Sequence, residues 1–254
     1  MAARLTIFAV PGIPLVQPGD DLAGLILDAL GASGEALQDG DVVVAAQKIV
    51  SKAEGRLVSL ADVEPSARAV ELAGITGKDP RMVELVLQES TEVLRAKTNV
   101  LIVEQKLGLV IANAGIDRSN VEGGTAEMAL LLPVDPDASA RGLRQALRER
   151  TGADVAVVIA DSVGRAWRYG TTGMAIGCAG IEPLWDQRGD TDMFGKVLEV
   201  TEVAIADQIA SAANLAMGEA AERTPVAVMR GLAAPRRERP ATALVRARHE
   251  DMFR

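Results

Sequence analysis

Hydrophobic residues recur along the chain with two periods, and the changes between them predict where strands and helices begin and end. Apolar runs of strand length occur at Leu5 to Val10, Asp41 to Ala46, Val155 to Ala160 and Pro225 to Met229. Two further runs, Asn99 to Gln105 and Leu107 to Ala112, flank Lys106 and predict a hairpin. The chain therefore carries several short strands.

Helical spacing of apolar residues, with capping residues at the ends, separates these strands. The predicted helices run from Asp20 to about Leu30, Ser66 to Ala73, Pro80 to Lys97, Asp135 to Gly152 and about Val200 to Met217. The basic tail from Pro235 onward is most simply a solvated helix or a loose arm. Because strands and helices do not alternate strictly, we expect one α+β domain over residues 1–254, with mixed, largely antiparallel sheets and helices packed in two coupled lobes.

Composition narrows the range of partners. With a net charge of −8 and 2% aromatic residues, the chain lacks the clustered cations and stacking rings that nucleic acids require. No apolar run approaches the roughly 20 residues of a membrane helix, so we expect no membrane partner. The N-terminal apolar run is broken by Pro11 and Gly12, which favours a strand over a signal peptide. Small polar ligands remain.

The single cysteine, Cys178, cannot form an internal disulfide, which fits a reducing compartment and predicts a cytoplasmic protein. A cysteine nucleophile needs a nearby histidine, and the only histidine, His249, lies in the polar tail. Cysteine–histidine chemistry is therefore not expected.

Three acidic residues beside glycines or strand ends are candidate metal ligands: Asp117, Asp161 and Glu219. Carboxylate oxygens are the hard ligands that magnesium and manganese prefer. The alternative for Asp161 is a helix cap or turn residue, and for Asp117 a loop residue that bonds its own backbone. Spacing alone does not separate these alternatives.

Basic residues follow two of the predicted strands. Lys48 and Lys52 come after the second strand, and Arg165 and Arg168 come after the strand that leads to Asp161. Either pair has the charge to bind phosphate or carboxylate groups, although lysines in such positions are often only solvated. Neither standard phosphate-binding glycine motif occurs, so any nucleotide site must be of another kind.

Seven segments along the chain form an ordered set of motifs: Val42 to Arg56, Asn113 to Glu122, Leu131 to Asp137, Asp161 to Arg168, Leu198 to Val203, Asn214 to Glu219 and Val226 to Gly231. With these segments in this order, the chain as a whole resembles the coenzyme F420-0:gamma-glutamyl ligase family. So many ordered matches are more specific than any single motif. No fused flavin-dependent reductase domain, which some actinobacterial relatives carry, is expected in this chain.

The resemblance implies a site of two manganese or magnesium ions, with potassium as a further candidate ion. The implied metal ligands are Asp117, Asp161, Ser162 and Glu219. The implied GTP contacts are Ile13, Pro14, Leu15, Val16, Gln47, Lys48, Lys52, Asn120, Met217, Gly218, Glu219, Ala220, Ala221, Glu222, Arg223 and Thr224. The chain departs from the family at Ser162, often Thr, at Gln47-Lys48, where small hydroxyl residues are usual, and after Glu219, where a glycine-rich loop is common.

The implied activity is GTP-dependent addition of L-glutamate to coenzyme F420-0, followed by a γ-linked second addition, through an acyl phosphate. The resemblance also implies an intertwined homodimer with the cleft near the subunit boundary. Two alternatives remain open: a non-catalytic nucleotide or deazaflavin-binding module, and a ligase of the same fold that uses another acceptor. The sequence identifies no general base.

Overall fold

The computed structural model describes residues 4–118 and 127–252. The strands are β1 (Thr6–Ala9), β2 (Val42–Ala46), β3 (Leu57–Ser59), β4 (Ser90–Lys97), β5 (Val100–Gln105), β6 (Val110–Ala112), β7 (Met128–Leu130), β8 (Ala156–Arg165), β9 (Arg168–Ala179), β10 (Leu184–Asp186), β11 (Glu202–Ala204) and β12 (Val226–Arg230). The α-helices are α1 (Leu22–Ala32), α2 (Gln47–Ala53), α3 (Ala67–Thr76), α4 (Pro80–Gln88), α5 (Pro136–Thr151) and α6 (Ile205–Met217). The predicted α+β class with largely antiparallel sheets is confirmed. None of the described helices combines the length and the apolar character needed to cross a bilayer.

A five-stranded sheet in the order β1-β12-β2-β8-β9 organises the molecule. All neighbouring strands are antiparallel except β2 and β8, which run parallel. Because side chains alternate across a strand, Val43 and Ala45 enter one core while Val42 and Val44 enter a second core on the opposite face. Helices α1 and α5 pack in the first core, and α6 packs in the second.

A third core lies within the segment from β3 to β7. Helices α3 and α4 bury Leu72, Met82 and Val86 there, together with Leu101 and Val103 of β5. Strand β5 is the centre of a separate antiparallel sheet, β4-β5-β6. The predicted hairpin between Asn99 and Ala112 is therefore present as β5 and β6.

The predicted helix from Pro80 to Lys97 is wrong in its second half. Helix α4 ends at Gln88, and β4 follows and pairs with β5. Val93 fits a helical or a strand period, and its pairing with Val103 places it in the sheet. Pairing with a distant strand thus overrides the local helical spacing.

Two further boundaries differ from the prediction. The last helix begins at Ile205 rather than near Val200, because residues 202–204 pair with β10 as β11. Strand β8 continues past Ala160 to Arg165, because β9 folds back and pairs with it along that length. Asp161 consequently lies inside a long hairpin strand and not at a strand end.

The C-terminal tail is docked rather than loose or simply solvated. Ala241 is buried, and its N–H donates to Asp137 Oδ1 at 2.8 Å. The same carboxylate oxygen accepts from Cys178 N at 2.8 Å, and Arg239 pairs with the buried Glu182 at 2.9 Å. The basic composition of the tail does not predict these contacts, because they depend on acidic residues from distant parts of the chain.

Candidate active site

One edge of the central sheet gathers the segments that carry predicted site residues. Strands β1 and β2 end at this edge, and the antiparallel β12 begins there. Val10 N donates to Val226 O at 2.8 Å, and Ala46 N donates to Pro225 O at 2.8 Å. Parallel pairing aligns Ala46 with Ala160, so Asp161 reaches the same edge as the residues that follow β2.

Lys48 and Asp117 form an ion pair at this edge. The Lys48 Nζ lies 3.0 Å from Asp117 Oδ2, and the two side chains are 29% and 25% exposed. Lys48 stands in α2 directly after β2, while the backbone of Asp117 exchanges hydrogen bonds of 2.9 and 2.8 Å with Leu130. The pair is thus held by two rigid segments and remains accessible to a ligand.

Asp161 is half-buried beside this pair, and its Oδ1 accepts from Ser162 N at 2.9 Å. The pKa of Asp161 is raised to about 7, first of all by burial. The charges of Asp117 and Glu219 also raise it, whereas the Ser162 N–H and Lys48 lower it. Asp117, Lys48 and Glu219 are therefore near enough to influence the charge of Asp161. Among the described residues, however, these acidic side chains do not form a closed cluster.

Ser162 and Glu219 are joined by a hydrogen-bond cluster on the other face of β8. Ser162 Oγ donates to Glu219 Oε1 at 2.8 Å. The side-chain amide of Asn214 donates to both, at 3.0 Å to Ser162 Oγ and 2.9 Å to Glu219 Oε1. Sequence reasoning missed Asn214; the available signal was its position at the start of the matching segment that ends at Glu219.

The predicted nucleotide contacts of the first loop lie beside α2. Ile13 and Val16 are buried, whereas Pro14 and Leu15 are exposed. A hydrogen bond of 2.8 Å from Gly19 N to the carbonyl of Ala53 attaches this loop to the end of α2. Lys52 is half-buried on the same helix.

Gln47 differs from its neighbours because its side chain is only 1% exposed. Its Oε1 accepts from Ser51 Oγ at 2.9 Å, and its Nε2 has no hydrogen-bond partner among the residues that the structure describes. A nucleotide contact at Gln47 would therefore have to use its backbone, and this contact stays a prediction. Asn120, another predicted contact, lies outside the described residues.

The loop after α6 is held by hydrogen bonds between its own residues. Thr224 Oγ1 donates to Met217 O at 2.7 Å, and Ala220 N donates to Glu222 Oε2 at 2.8 Å. Hydrogen bonds from the backbone of Ala220, Glu222 and Ala221 hold the pKa of the Glu222 carboxyl below its usual value. The Glu222 carboxylate thus occupies a set of backbone amides of the kind that binds anions.

Arg165 and Arg168 lie at the tip of the β8–β9 hairpin, where they face each other across the turn. Arg165 is four positions after Asp161, which corresponds to roughly 13 Å along a strand. Both arginines are exposed, as are Trp167 and Tyr169 beside them. Within one chain, the structure does not bring these arginines to the carboxylates.

Cys178 is buried and free. Burial first, and then the nearby carboxylates with Asp137 foremost, raise the pKa of its thiol to about 12. A thiol with this pKa is not a nucleophile at neutral pH. The site chemistry therefore depends on oxygen and nitrogen groups.

The donor set fits a hard divalent cation. Asp117, Asp161 and Glu219 contribute carboxylates and Ser162 contributes a hydroxyl, which are ligand types of magnesium and manganese. Burial is the main cause of the raised pKa of Asp161, with smaller contributions from Asp117 and Glu219, and a bound cation would favour the ionised carboxylate. In residues 4–118 and 127–252, no three acidic, histidine or cysteine side chains already stand close enough to enclose an ion. Binding would require the side chains to move closer together.

A sequence profile of the F420-0:gamma-glutamyl ligase family matches residues 12–231. The chain belongs to this family. It is 46% identical over 252 residues to the coenzyme F420:L-glutamate ligase of Methanothermobacter thermautotrophicus, covering 98% of this chain and 99% of that protein. The protein of the same name from Methanopyrus kandleri is 47% identical over 255 residues, covering 98% of each chain. That from Methanocaldococcus jannaschii is 44% identical over 218 residues, covering 86% of each.

The family match spans every segment of the candidate site, from the loop before α1 to β12. The resemblance inferred from the ordered motifs is therefore confirmed. The fold adds that residues far apart in sequence, those after β2, Asp117 and Asp161, lie at one edge of the central sheet.

Proposed function

We propose that this chain is a GTP-dependent ligase that joins L-glutamate to coenzyme F420-0 and then extends the product through a γ-linkage. The observation that carries the proposal is the position of Asp161 at the same sheet edge as the Lys48–Asp117 ion pair, with Glu219 hydrogen-bonded to the adjacent Ser162. Relatives at 44–47% identity are named coenzyme F420:L-glutamate ligase, which supports the acceptor and the amino acid.

Two divalent ions, manganese or magnesium, would be held by Asp117, Asp161, Ser162 and Glu219. When bound, such ions neutralise phosphate charge and align the reacting oxygens of a phosphoryl transfer. The Lys48–Asp117 ion pair would have to open for Asp117 to act as a ligand. Lys48 would then be released toward the nucleotide phosphates. Potassium stays a further candidate ion.

The nucleotide would lie between the loop of residues 13–16, helix α2 and the loop of residues 217–224. Lys48 and Lys52, both on α2, would supply positive charge for the nucleotide phosphates. We propose GTP over ATP on the family resemblance. Turnover at equal rates with both nucleotides would contradict that preference.

The proposed reaction has two steps. A carboxylate oxygen of the acceptor attacks the γ-phosphorus of GTP, and the bond to the β-phosphate oxygen breaks to release GDP. The α-amine of glutamate then attacks the acyl carbon, phosphate leaves with the bonding electrons, and the amine loses one proton to solvent or to a base. Activation is needed because a free carboxylate is a poor acyl donor to an amine.

A homodimer is part of the proposal. Large apolar side chains protrude from the β8–β9 hairpin and from the segment after β10: Trp167, Tyr169, Met193, Phe194 and Val200 are each at least 84% exposed. Exposed aromatic surface of this extent favours an interface. Arg165 and Arg168 lie on the same hairpin, so they would reach the cleft of a partner subunit rather than their own. Sedimentation of a monomer only, at micromolar concentration, would contradict the dimer.

Mass spectrometry of the deazaflavin acceptor tests the activity directly. The full chain is incubated with F420-0, L-glutamate, GTP and manganese, with matched samples that lack GTP or contain EDTA. We expect the mass of one and then two glutamyl residues to be added only in the complete mixture. An unchanged acceptor with tight GTP binding would favour the non-catalytic module. GTP hydrolysis that depends on a different carboxylic acid would favour a ligase for another acceptor.

A further inference from the structure

We propose that Asn214 is a positioning residue that holds Glu219 and Ser162 in the arrangement that binds the divalent cation. The proposal rests on the metal dependence argued above and assigns a role to a residue outside the predicted ligand set. Asn214 lies on α6, Ser162 on β8 and Glu219 in the loop after α6. One side chain thus links three separate elements of the site.

The hydrogen bonds of the Asn214 amide account for its orientation. Its two N–H groups are directed at Glu219 Oε1, 2.9 Å away, and at Ser162 Oγ, 3.0 Å away. A carboxylate only accepts hydrogen bonds, so the amide nitrogen and not the amide oxygen must face Glu219. The reversed orientation would place two acceptor oxygens in contact, and the chemistry of the neighbours therefore fixes the side chain.

The backbone of Asn214 also helps to position Glu219. Gly218 N donates to Asn214 O at 2.9 Å, which anchors the point where the chain leaves α6. Gly218 itself has φ +77° and ψ 177°, a conformation reserved almost entirely for glycine. Glu219 follows directly, so Asn214 restrains both the main chain and the carboxylate of Glu219.

The contacts leave part of the Glu219 carboxylate available. Both the Asn214 amide and the Ser162 hydroxyl bond Oε1, and no described residue donates to Oε2. A metal-binding carboxylate is commonly held in this way, with hydrogen bonds to one part of the group orienting it for the ion. Without the amide, Glu219 is exposed and would populate several rotamers.

A purely structural role for Asn214 predicts a different result. Asn214 is only half-buried, and alanine is a better helix former than asparagine, so Asn214→Ala should fold. If Asn214 merely completed the end of α6, its loss would lower the melting temperature and leave metal affinity unchanged. If it positions Glu219, metal affinity falls while the metal-free melting temperature is maintained.

The test is a titration of the full chain with manganese alone. Binding is measured by calorimetry and by the electron paramagnetic resonance signal of free manganese. We expect Asn214→Ala to weaken manganese binding roughly 10-fold or more. The control is Gln208→Ala, which removes an exposed amide from the same helix and should bind as the wild type does. Wild-type affinity in Asn214→Ala, or a collapse of its metal-free melting temperature, would overturn the positioning role.

A double substitution shows whether Asn214 acts through Glu219. In a Glu219→Ala background, Asn214→Ala should lower manganese affinity by a much smaller factor than it does in the wild type. The reason is that the Glu219 carboxylate, which Asn214 positions, is absent. An equal factor in both backgrounds would overturn the proposal. Failure of the wild type to bind manganese would overturn the metal dependence as well, whereas wild-type binding and ligation in Asn214→Ala would overturn only the positioning role.

Discussion

Lys48 Nζ and Asp117 Oδ2 lie 3.0 Å apart, so a residue predicted to bind phosphate is paired with a residue predicted to bind metal. The pair partly neutralises the acidic site in the absence of a ligand. It also means that a cation and the Lys48 ammonium compete for the same carboxylate. The charge on Lys48 should therefore weaken metal binding when no nucleotide is present.

We expect Lys48→Ala to bind manganese several-fold more tightly than the wild type without nucleotide, because the competing ammonium is gone. Ligation should nevertheless fall about 10-fold or more, since the phosphates lose a compensating charge. Calorimetric titration and turnover on one preparation measure both effects. Lys52→Ala is the control for the first effect, because it removes the same charge from α2 and leaves the Lys48–Asp117 pair in place. Weaker manganese binding by Lys48→Ala would contradict the competition.

Because α5 packs closely against β9, we expect alanine substitutions at two glycines to have very different effects on the free energy of unfolding. A Cβ on Gly177 would lie 2.3 Å from Pro136 O, a backbone atom that cannot swing aside as a flexible side chain would. We expect Gly177→Ala to lower the free energy of unfolding by about 2–3 kcal/mol or more. Gly142, exposed on α5, is the matched control, because a Cβ added to it would meet nothing within 4 Å. Gly142→Ala should raise stability by about 0.5–1 kcal/mol in urea unfolding. Equal effects would contradict the packing argument.

The parts of the site that local pattern could predict are those next to strong secondary-structure signals. Asp161 follows a continuous apolar run, and Lys48 follows another, so their approximate positions were visible. Their approach to Asp117 was not, because it depends on the parallel pairing of β2 with β8 and on a bridge to Leu130. Ordered motifs supplied that relationship through the family resemblance.

The errors have a common physical cause, which is long-range pairing. Residues 90–97 are helical by local spacing and become a strand because β5 is available to pair with them. The tail is basic by composition and docks because Asp137 and Glu182 are buried where it passes. Asn214 was missed because an asparagine has no distinctive pattern, and its role depends on two partners that are brought to it by the fold.

Asp207 provides a test of pH dependence away from the candidate metal ligands. It is half-buried on α6, and its Oδ1 accepts from Ala175 N at 2.9 Å. Burial raises the pKa of Asp207 above its usual value, and the Ala175 N–H opposes this in part. A carboxyl with a higher pKa in the folded state stabilises the fold below its unfolded pKa, and this contribution is lost as pH rises through the folded pKa.

Asp207→Asn keeps an acceptor for Ala175 and cannot ionise. We therefore expect the variant to be more stable than the wild type at pH 8, with a difference that shrinks toward pH 4. Urea unfolding across this range, without metal, measures the difference. Asp62→Asn, at an exposed position, should track the wild type at every pH. If the stability gain of Asp207→Asn over the wild type grew toward acid pH, the raised pKa of Asp207 would be contradicted.

The Glu222 carboxylate occupies backbone amides of the loop that we propose to contact the nucleotide. An incoming phosphate must displace it, so Glu222 should weaken nucleotide binding. We expect Glu222→Gln to bind GTP several-fold more tightly, because a neutral amide oxygen is a weaker competitor for these N–H groups. Glu64→Gln removes the same charge at an exposed site and is the control in a fluorescence titration with labelled GTP. Weaker binding by Glu222→Gln would instead assign the carboxylate to holding the loop in its binding conformation.

Asp161→Asn separates the roles of charge and shape at the centre of the site. Asparagine keeps an oxygen that can accept from Ser162 N, so the local backbone should be retained. It also removes a carboxylate whose ionisation is opposed by burial and by the nearby acids, so the metal-free protein should melt at the same or a higher temperature. As a metal ligand, however, asparagine lacks the charge that offsets a divalent cation. We expect manganese affinity to fall at least about 10-fold and glutamate ligation to be lost, with Asp62→Asn as the unaffected control. Full activity of Asp161→Asn at low manganese and saturating GTP would remove Asp161 from the proposed metal site and leave it a structural residue of β8.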